Sequence, residues 1–243
     1  MGSEYINASR IESIGAIAAQ GPKENTLGTF FSMVLEAGGP IINMAKAEEL
    51  GEKKYSAYDK YEGNVPEKGI NVNESPEIIF GQEANIRHMS SEEITDSQGN
   101  LIGYKNTFQV VDLKQEPIKY PKDHPLAGQP VKTIEQYHYI KWPDHGVPKD
   151  SQELVYFLNT VRVETSMAGN ANKEPVFHCS AGVGRSGVAM AVYKAMKDAE
   201  AGKELIDATT SMVEMRKHRS IMIQTHEQLI LTHNIIESLR DSK

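Results

Sequence analysis

The residues best suited to chemistry lie in one string near the end of the chain. Residues 178–187 are His-Cys-Ser-Ala-Gly-Val-Gly-Arg-Ser-Gly, and Cys179 is the only cysteine. A glycine-containing turn can direct several backbone N–H groups at an anion, and the helical pattern that follows would add its positive N-terminal end. Arg185 contributes a planar cation that can bind two oxygens of an oxyanion such as phosphate. The string therefore predicts a thiolate nucleophile beside an anion-binding loop, formed by Ser180, Ala181, Gly182, Val183 and Gly184.

A second motif, Trp-Pro-Asp-His-Gly-Val-Pro at 142–148, offers a proton donor. Cleavage of a phosphoester requires a proton for the leaving oxygen, and a carboxylic acid on a mobile loop can close over the substrate and supply it. Asp144 is the candidate acid, and the prolines and glycine around it are typical of a turn.

A third motif, Gln-Thr-His-Glu-Gln at 224–228, could position water. A side-chain amide can hold the water that hydrolyses a phosphorylated thiol without competing as a nucleophile. Gln224 and Gln228 are four residues apart and would share one face of a helix. The same residues are also compatible with a polar helix start in which Thr225 is the cap.

In this order, the three motifs resemble the cysteine-dependent protein tyrosine phosphatases, the phosphotyrosine-specific type with an HC-x5-R loop, a Trp-Pro-Asp loop and a glutamine loop. Two further strings, at 5–9 and 214–219, extend the resemblance over a domain from residue 4 to 240, and both are interpreted as scaffold. The resemblance implies attack by Cys179 on phosphorus, oxygens held by Arg185 and protonation by Asp144. It also implies a hydrogen bond from Ser186 to the sulfur, and water placed by Gln224 with the help of Gln228. No metal or cofactor is implied.

One departure from the family bears on specificity. The family normally has a Lys-Asn-Arg-Tyr-type segment whose tyrosine deepens the pocket for phosphotyrosine, whereas here Met1-Gly2-Ser3-Glu4 precedes Tyr5. We therefore expect this recognition segment to be missing. The main expectation is a protein tyrosine phosphatase. The alternatives are a broader phosphatase acting on phosphoserine, phosphothreonine or a phosphoinositide, and a pseudophosphatase that binds phosphopeptides.

Composition narrows the class of protein. A net charge of −7 argues against a nucleic-acid partner, and no apolar run reaches the roughly 18 residues of a membrane span. A single cysteine suits a reducing compartment. We expect a monomer in the cytoplasm, or in the host cytosol if the chain is a secreted bacterial effector. Its expected partners are phosphotyrosine-containing proteins.

The hydrophobic periodicity of the sequence predicts the strands and helices that must position these motifs. The pattern predicts an α/β fold, a single domain with a twisted mixed sheet flanked by helices. A hairpin turn is expected at Gln98-Gly99-Asn100. The predicted strands are 5–10, 16–20, 40–44, 78–88, 104–113, 133–140 and 175–179. The predicted helices are 26–37, 151–165, 187–200, 204–217 and 225–239.

Overall fold

A computed structural model describes residues 5–23, 26–45, 78–80, 84–112, 131–143, 146–167 and 173–241. Its strands are β1 (Ala8–Ile11), β2 (Ala16–Gln20), β3 (Gly38–Asn43), β4 (Ile78–Phe80), β5 (Ala84–Thr95), β6 (Leu101–Asp112), β7 (Val131–Tyr139) and β8 (Glu174–Cys179). Its helices are α1 (Leu27–Ala37), α2 (Ser151–Met167), α3 (Gly184–Glu200), α4 (Ala208–Arg216) and α5 (His226–Asp241).

The eight strands form one mixed sheet in the order β1-β2-β8-β3-β7-β6-β5-β4. The four central strands β2, β8, β3 and β7 are parallel, and antiparallel strands extend the sheet on both sides. Because the carboxyl ends of parallel strands meet at one edge of a sheet, the end of β8 lies beside the ends of β2 and β3. Gln20 is paired with Cys179, and Asn43 is paired with His178.

Apolar side chains cover both faces of the sheet, as the alternation along β8 illustrates. Val176 packs with Phe30 and Phe31 of α1 on one face. The next residue, Phe177, belongs to the core on the other face, together with Cys179 and the apolar residues of α3. Successive side chains of a strand point to opposite faces. The alternation therefore directs Cys179 toward the face that α3 covers.

The predicted fold class is confirmed; the largest difference in the strands lies between residues 78 and 95, and the other strand ends differ by up to three residues. The predicted strand 78–88 is two strands in the structure, β4 and β5, and β5 continues to Thr95. The polar run Ser90-Ser91-Glu92-Glu93 concealed this extension, which pairs with β6 over its whole length. The predicted hairpin turn is confirmed, because Asp96 Oδ1 accepts hydrogen bonds from the backbone N–H groups of Gln98 and Asn100 at 2.8 Å each.

The starts of α4 and α3 differ from the predicted ones by several residues. The carboxylate of Asp207 accepts the N–H of Thr210 at 2.9 Å, so α4 begins at Ala208 rather than at the predicted residue 204. The helix α3 begins at Gly184, three residues earlier than predicted, and this places Arg185 and Ser186 in its first turn. None of the five described helices combines the length and apolar composition that crossing a membrane requires.

Candidate active site

Cys179 is the last residue of β8, and the chain folds back over its sulfur. The side chain is 4% exposed. The backbone N–H of Gly182 donates to Sγ over 3.3 Å. A backbone N–H that points into a loop in this way is the kind of donor that can bind an anion. The predicted loop therefore has at least one N–H group directed at its centre, immediately before the N-terminus of α3.

Close contacts restrict two glycines of the loop, Gly182 much more strictly than Gly184. Gly182 has a φ of +71°, and a Cβ atom there would lie 1.9 Å from the carbonyl oxygen of Ala19 in β2. A Cβ atom on Gly184 would lie 3.0 Å from both terminal atoms of the Gln228 amide and 3.3 Å from Oε1 of Gln224. The loop is thus packed between β2 on one side and the two glutamines on the other.

Arg219 binds the outer side of this loop. Its Nε donates to the carbonyl oxygen of Gly182 at 2.9 Å, and one terminal nitrogen donates to the carbonyl oxygen of Ala181 at 3.0 Å. The same nitrogen donates to the side-chain oxygen of Asn7 at 2.9 Å. Burial lowers the pKa of Arg219, and the charge of Cys179 opposes that shift. By holding these two carbonyls outward, the guanidinium favours the loop conformation in which the N–H groups face inward.

Arg216 binds the segment that leads to Gln224. Its Nε donates to the carbonyl oxygen of Met222 at 2.9 Å, and a terminal nitrogen donates to that of Ile223 at 2.8 Å. Ile221 and Ile223 have φ values of +56° and +54°, a region that β-branched residues rarely occupy. The N–H of Ile223 also donates to the carbonyl oxygen of Val183 at 3.2 Å. A strained segment is therefore fixed both to α4 and to the loop that follows Cys179.

The two predicted glutamines differ in what their side chains do. Gln228 is buried, and its Oε1 accepts the N–H groups of Gln224 and Thr225 at 2.8 and 3.4 Å. Thr225 Oγ1 accepts the N–H of Gln228 at 3.3 Å in return. This reciprocal arrangement is a capping box, so the interpretation of Thr225 as a helix cap is confirmed. The side chain of Gln224 is exposed and lies beside the start of α3.

The remaining predicted site residues are distributed as follows. Arg185 is the second residue of α3 and is partly exposed. Ser186 is fully buried, and its hydroxyl forms no hydrogen bond with any residue that the structure describes. Asp144 lies outside the described residues. Beside it, Trp142 is buried and its Nε1 donates to the carbonyl oxygen of Gly146 at 3.3 Å.

From the sequence, the string 214–219, which contains Arg216 and Arg219, was interpreted as scaffold, and no contact between these arginines and the site was predicted. In the structure they bind the backbones of the two loops that carry Cys179 and Gln224. The available signal was their spacing. Two arginines three residues apart share one side of a helix end, and they lie a few residues before the glutamine motif.

Among the described residues, no three histidine, cysteine, aspartate or glutamate side chains are grouped closely enough to hold a metal ion. The architecture is that of an α/β domain with a cysteine at the end of a central parallel strand, followed by a tight loop and a buried helix. Residues 1–238 match the protein-tyrosine phosphatase family. The chain belongs to that family.

Named relatives agree with this assignment. The human receptor-type tyrosine-protein phosphatase eta is 30% identical over 250 residues, which cover 99% of this chain and 16% of that protein. Its mouse counterpart is 28% identical, with 99% of this chain and 17% of that protein covered. A human protein named phosphatidylinositol phosphatase PTPRQ is 28% identical over 247 residues, covering 100% of this chain and 9% of that protein. The chain thus spans less than a fifth of the length of each of these relatives.

Proposed function

We propose that this chain hydrolyses phosphotyrosine in proteins through a phosphocysteine intermediate. The observation that carries the proposal is the geometry around Cys179, whose Sγ accepts the N–H of Gly182 inside a loop braced by Arg219. Family membership and relatives named as tyrosine-protein phosphatases support the same reaction. The fixed loop offers a preorganised site for the charge that develops in phosphoryl transfer.

In the first step, the Cys179 thiolate attacks phosphorus, and the bond from phosphorus to the phenolic oxygen breaks. Arg185 binds two non-bridging oxygens through its fork of N–H groups. The backbone N–H groups of residues 180–184 bind the same oxygens from the other side. Asp144 donates its proton to the departing phenolic oxygen, so that tyrosine leaves as a neutral phenol.

In the second step, water attacks the phosphocysteine and the bond from phosphorus to sulfur breaks. Gln224 positions this water, while Asp144, now a carboxylate, accepts its proton. Ser186 donates a hydrogen bond to the departing sulfur, a role that suits a buried hydroxyl with no other described partner. Gln228 supports the step indirectly, because its Oε1 binds the backbone N–H of Gln224.

A second candidate is hydrolysis of a phosphoinositide. It is favoured by the similarity to the protein named phosphatidylinositol phosphatase PTPRQ, and it would use the same cysteine and arginine. Phosphotyrosine and the headgroup of a membrane phosphoinositide differ in length and shape. The contacts that a pocket makes with each could therefore favour one substrate over the other. In either case we expect the domain to act as a monomer in a reducing compartment such as the cytoplasm, where Cys179 stays reduced.

The test is phosphate release from three matched peptides that carry phosphotyrosine, phosphoserine or phosphothreonine, beside a phosphoinositide in mixed micelles. The proposal expects phosphotyrosine to be preferred, and it expects Cys179→Ser to abolish turnover while retaining peptide binding. Preference for the micelles would replace the proposal with the second candidate. Substantial turnover by Cys179→Ser would refute the covalent route for both.

A further inference from the structure

Three buried polar side chains form a row across the central strands of the sheet. His178 of β8 is the register partner of Asn43 in β3, and Asn43 is also the register partner of His138 in β7. Register partners on neighbouring strands direct their side chains to the same face of a sheet, and each of these three is at most 2% exposed. The row therefore runs from the strand that ends in Cys179 to the strand that leads into the motif at 142–148.

Two members of this row hold the backbone that follows β3. Oδ1 of Asn43 accepts the N–H of Ala45 at 2.8 Å, and Nε2 of His138 lies 2.7 Å from the carbonyl oxygen of Ala45. Because a carbonyl oxygen can only accept, the imidazole is the donor of this second bond. Ala45 is 6% exposed, so its carbonyl oxygen would be costly to leave without a hydrogen bond.

The backbone after β3 is in turn bonded to the strand of the nucleophile. The N–H of Met44, the residue before Ala45, donates to the carbonyl oxygen of His178 at 2.8 Å. The same peptide group contains the backbone nitrogen of Cys179. A path of hydrogen bonds thus connects the imidazole of His138, through two residues after β3, to the backbone of the cysteine.

Stability of the sheet alone does not account for a polar side chain at the centre of the row. Nδ2 of Asn43 forms no hydrogen bond within the described part of the chain, and a buried donor without a partner lowers stability. An apolar side chain, like those of Ile41 and Ile42 directly before it, would avoid this cost but could not bind the N–H of Ala45. The row is therefore better suited to fixing one arrangement of the strand ends.

We propose that His138 is a positioning residue for Cys179, an inference that rests on the proposed hydrolysis through this cysteine. By holding Ala45, the imidazole fixes the carbonyl group of His178 and with it the end of β8. A displacement of about 1 Å in a reacting atom can lower a rate about 10²-fold. The phosphate, in contrast, is bound by Arg185 and by loop N–H groups that follow the cysteine. Loss of the imidazole should therefore lower kcat more than it changes phosphate binding.

The test measures kcat on a phosphotyrosine peptide and the inhibition constant of inorganic phosphate, well below the melting temperature. His138→Phe keeps a ring but cannot donate, so kcat should fall about 5–30-fold, the equivalent of one lost buried hydrogen bond. The inhibition constant should change less than about twofold. His138→Gln can place an amide nitrogen near the position of Nε2 and should recover most of kcat, whereas the shorter His138→Asn should not. If His138→Phe does not fold, these two amide variants still decide.

Asn106→Leu is the matched control, because it removes another buried hydrogen bond of the sheet, from Asn106 Nδ2 to Gln136 Oε1 at 2.7 Å. Its melting temperature should fall as in His138→Phe, but its kcat should stay close to that of the unmodified chain. Amide hydrogen exchange gives a readout independent of activity. The N–H groups of Met44 and Ala45 should exchange at least about tenfold faster in His138→Phe and no faster in Asn106→Leu.

Three results would overturn the positioning role: equal losses of kcat in His138→Phe and the control, no recovery in His138→Gln, or unchanged amide exchange. Failure of the unmodified chain to release phosphate from the peptide is a different result. It would refute the proposed function itself, and the positioning role with it.

Discussion

The contact between Arg219 and the anion-binding loop gives the sharpest prediction. The guanidinium makes two hydrogen bonds to the carbonyl groups of Ala181 and Gly182. Hydrogen bonds to charged groups contribute about 1.5–3 kcal/mol each. In Arg219→Ala, water can replace part of this interaction, so we expect a net loss of about 1.5–3 kcal/mol in the stability of the loop conformation. A loss of that size corresponds to a fall in kcat/KM of about 10–150-fold.

The assay measures kcat/KM on a phosphotyrosine peptide together with the inhibition constant of inorganic phosphate. Both depend on the same loop conformation. In Arg219→Ala, kcat/KM should therefore fall and the inhibition constant of phosphate should rise by similar factors. In Arg219→Lys the effect should be intermediate, because a single ammonium cannot reproduce the forked contact with two carbonyls.

The matched control is Arg10→Ala, which removes an arginine from the exposed ion pair with Glu174. Exposed ion pairs contribute about 0–1 kcal/mol, and this one lies away from the cysteine. Its kcat/KM should therefore stay close to that of the unmodified chain. A lower melting temperature for Arg219→Ala with unchanged phosphate inhibition would refute the reasoning, because Arg219 would then stabilise the fold without setting the loop.

Two further predictions concern stability. Ile221 is exposed with a φ of +56°, so Ile221→Gly should be about 1 kcal/mol more stable than Ile221→Ala in urea unfolding. Ile206 is exposed and does not have a positive φ, so at this position the alanine variant should be more stable than the glycine variant. The same order of stability at both positions would exclude backbone strain as the cause. Burial raises the pKa values of Tyr137, Tyr139 and Tyr193 above 10.0. Their contribution to the free energy of unfolding is therefore complete below pH 10. It is lost as the pH rises further, because the unfolded chain then releases these protons while the folded chain keeps them. The large shifts of Tyr137 and Tyr139 should make the free energy of unfolding fall by roughly 2–3 kcal/mol per pH unit once the pH is well above 10, and the slope should be clearly smaller in Tyr137→Phe; equal slopes would contradict this account.

The sequence alone determined the parts of this protein that depend on local signals. The glycine-containing string after an apolar run predicts a strand, a turn and a helix start, and the structure has β8, the loop and α3 at these positions. The hairpin at Gly99 was also predicted, and a helix cap at Thr225 was one of two interpretations of its motif, because a cap or a turn is formed by residues within a few positions of one another. Long apolar periodicity likewise identified all five described helices.

Only the tertiary structure decided what holds the site in shape. Arg219 contacts Asn7, 212 residues away in sequence, and Gly182 packs against Ala19 of a neighbouring strand. The order of the strands creates both contacts, and no local pattern encodes that order. A sequence specifies which residues can do chemistry, whereas the packing of distant segments fixes the distances at which they act.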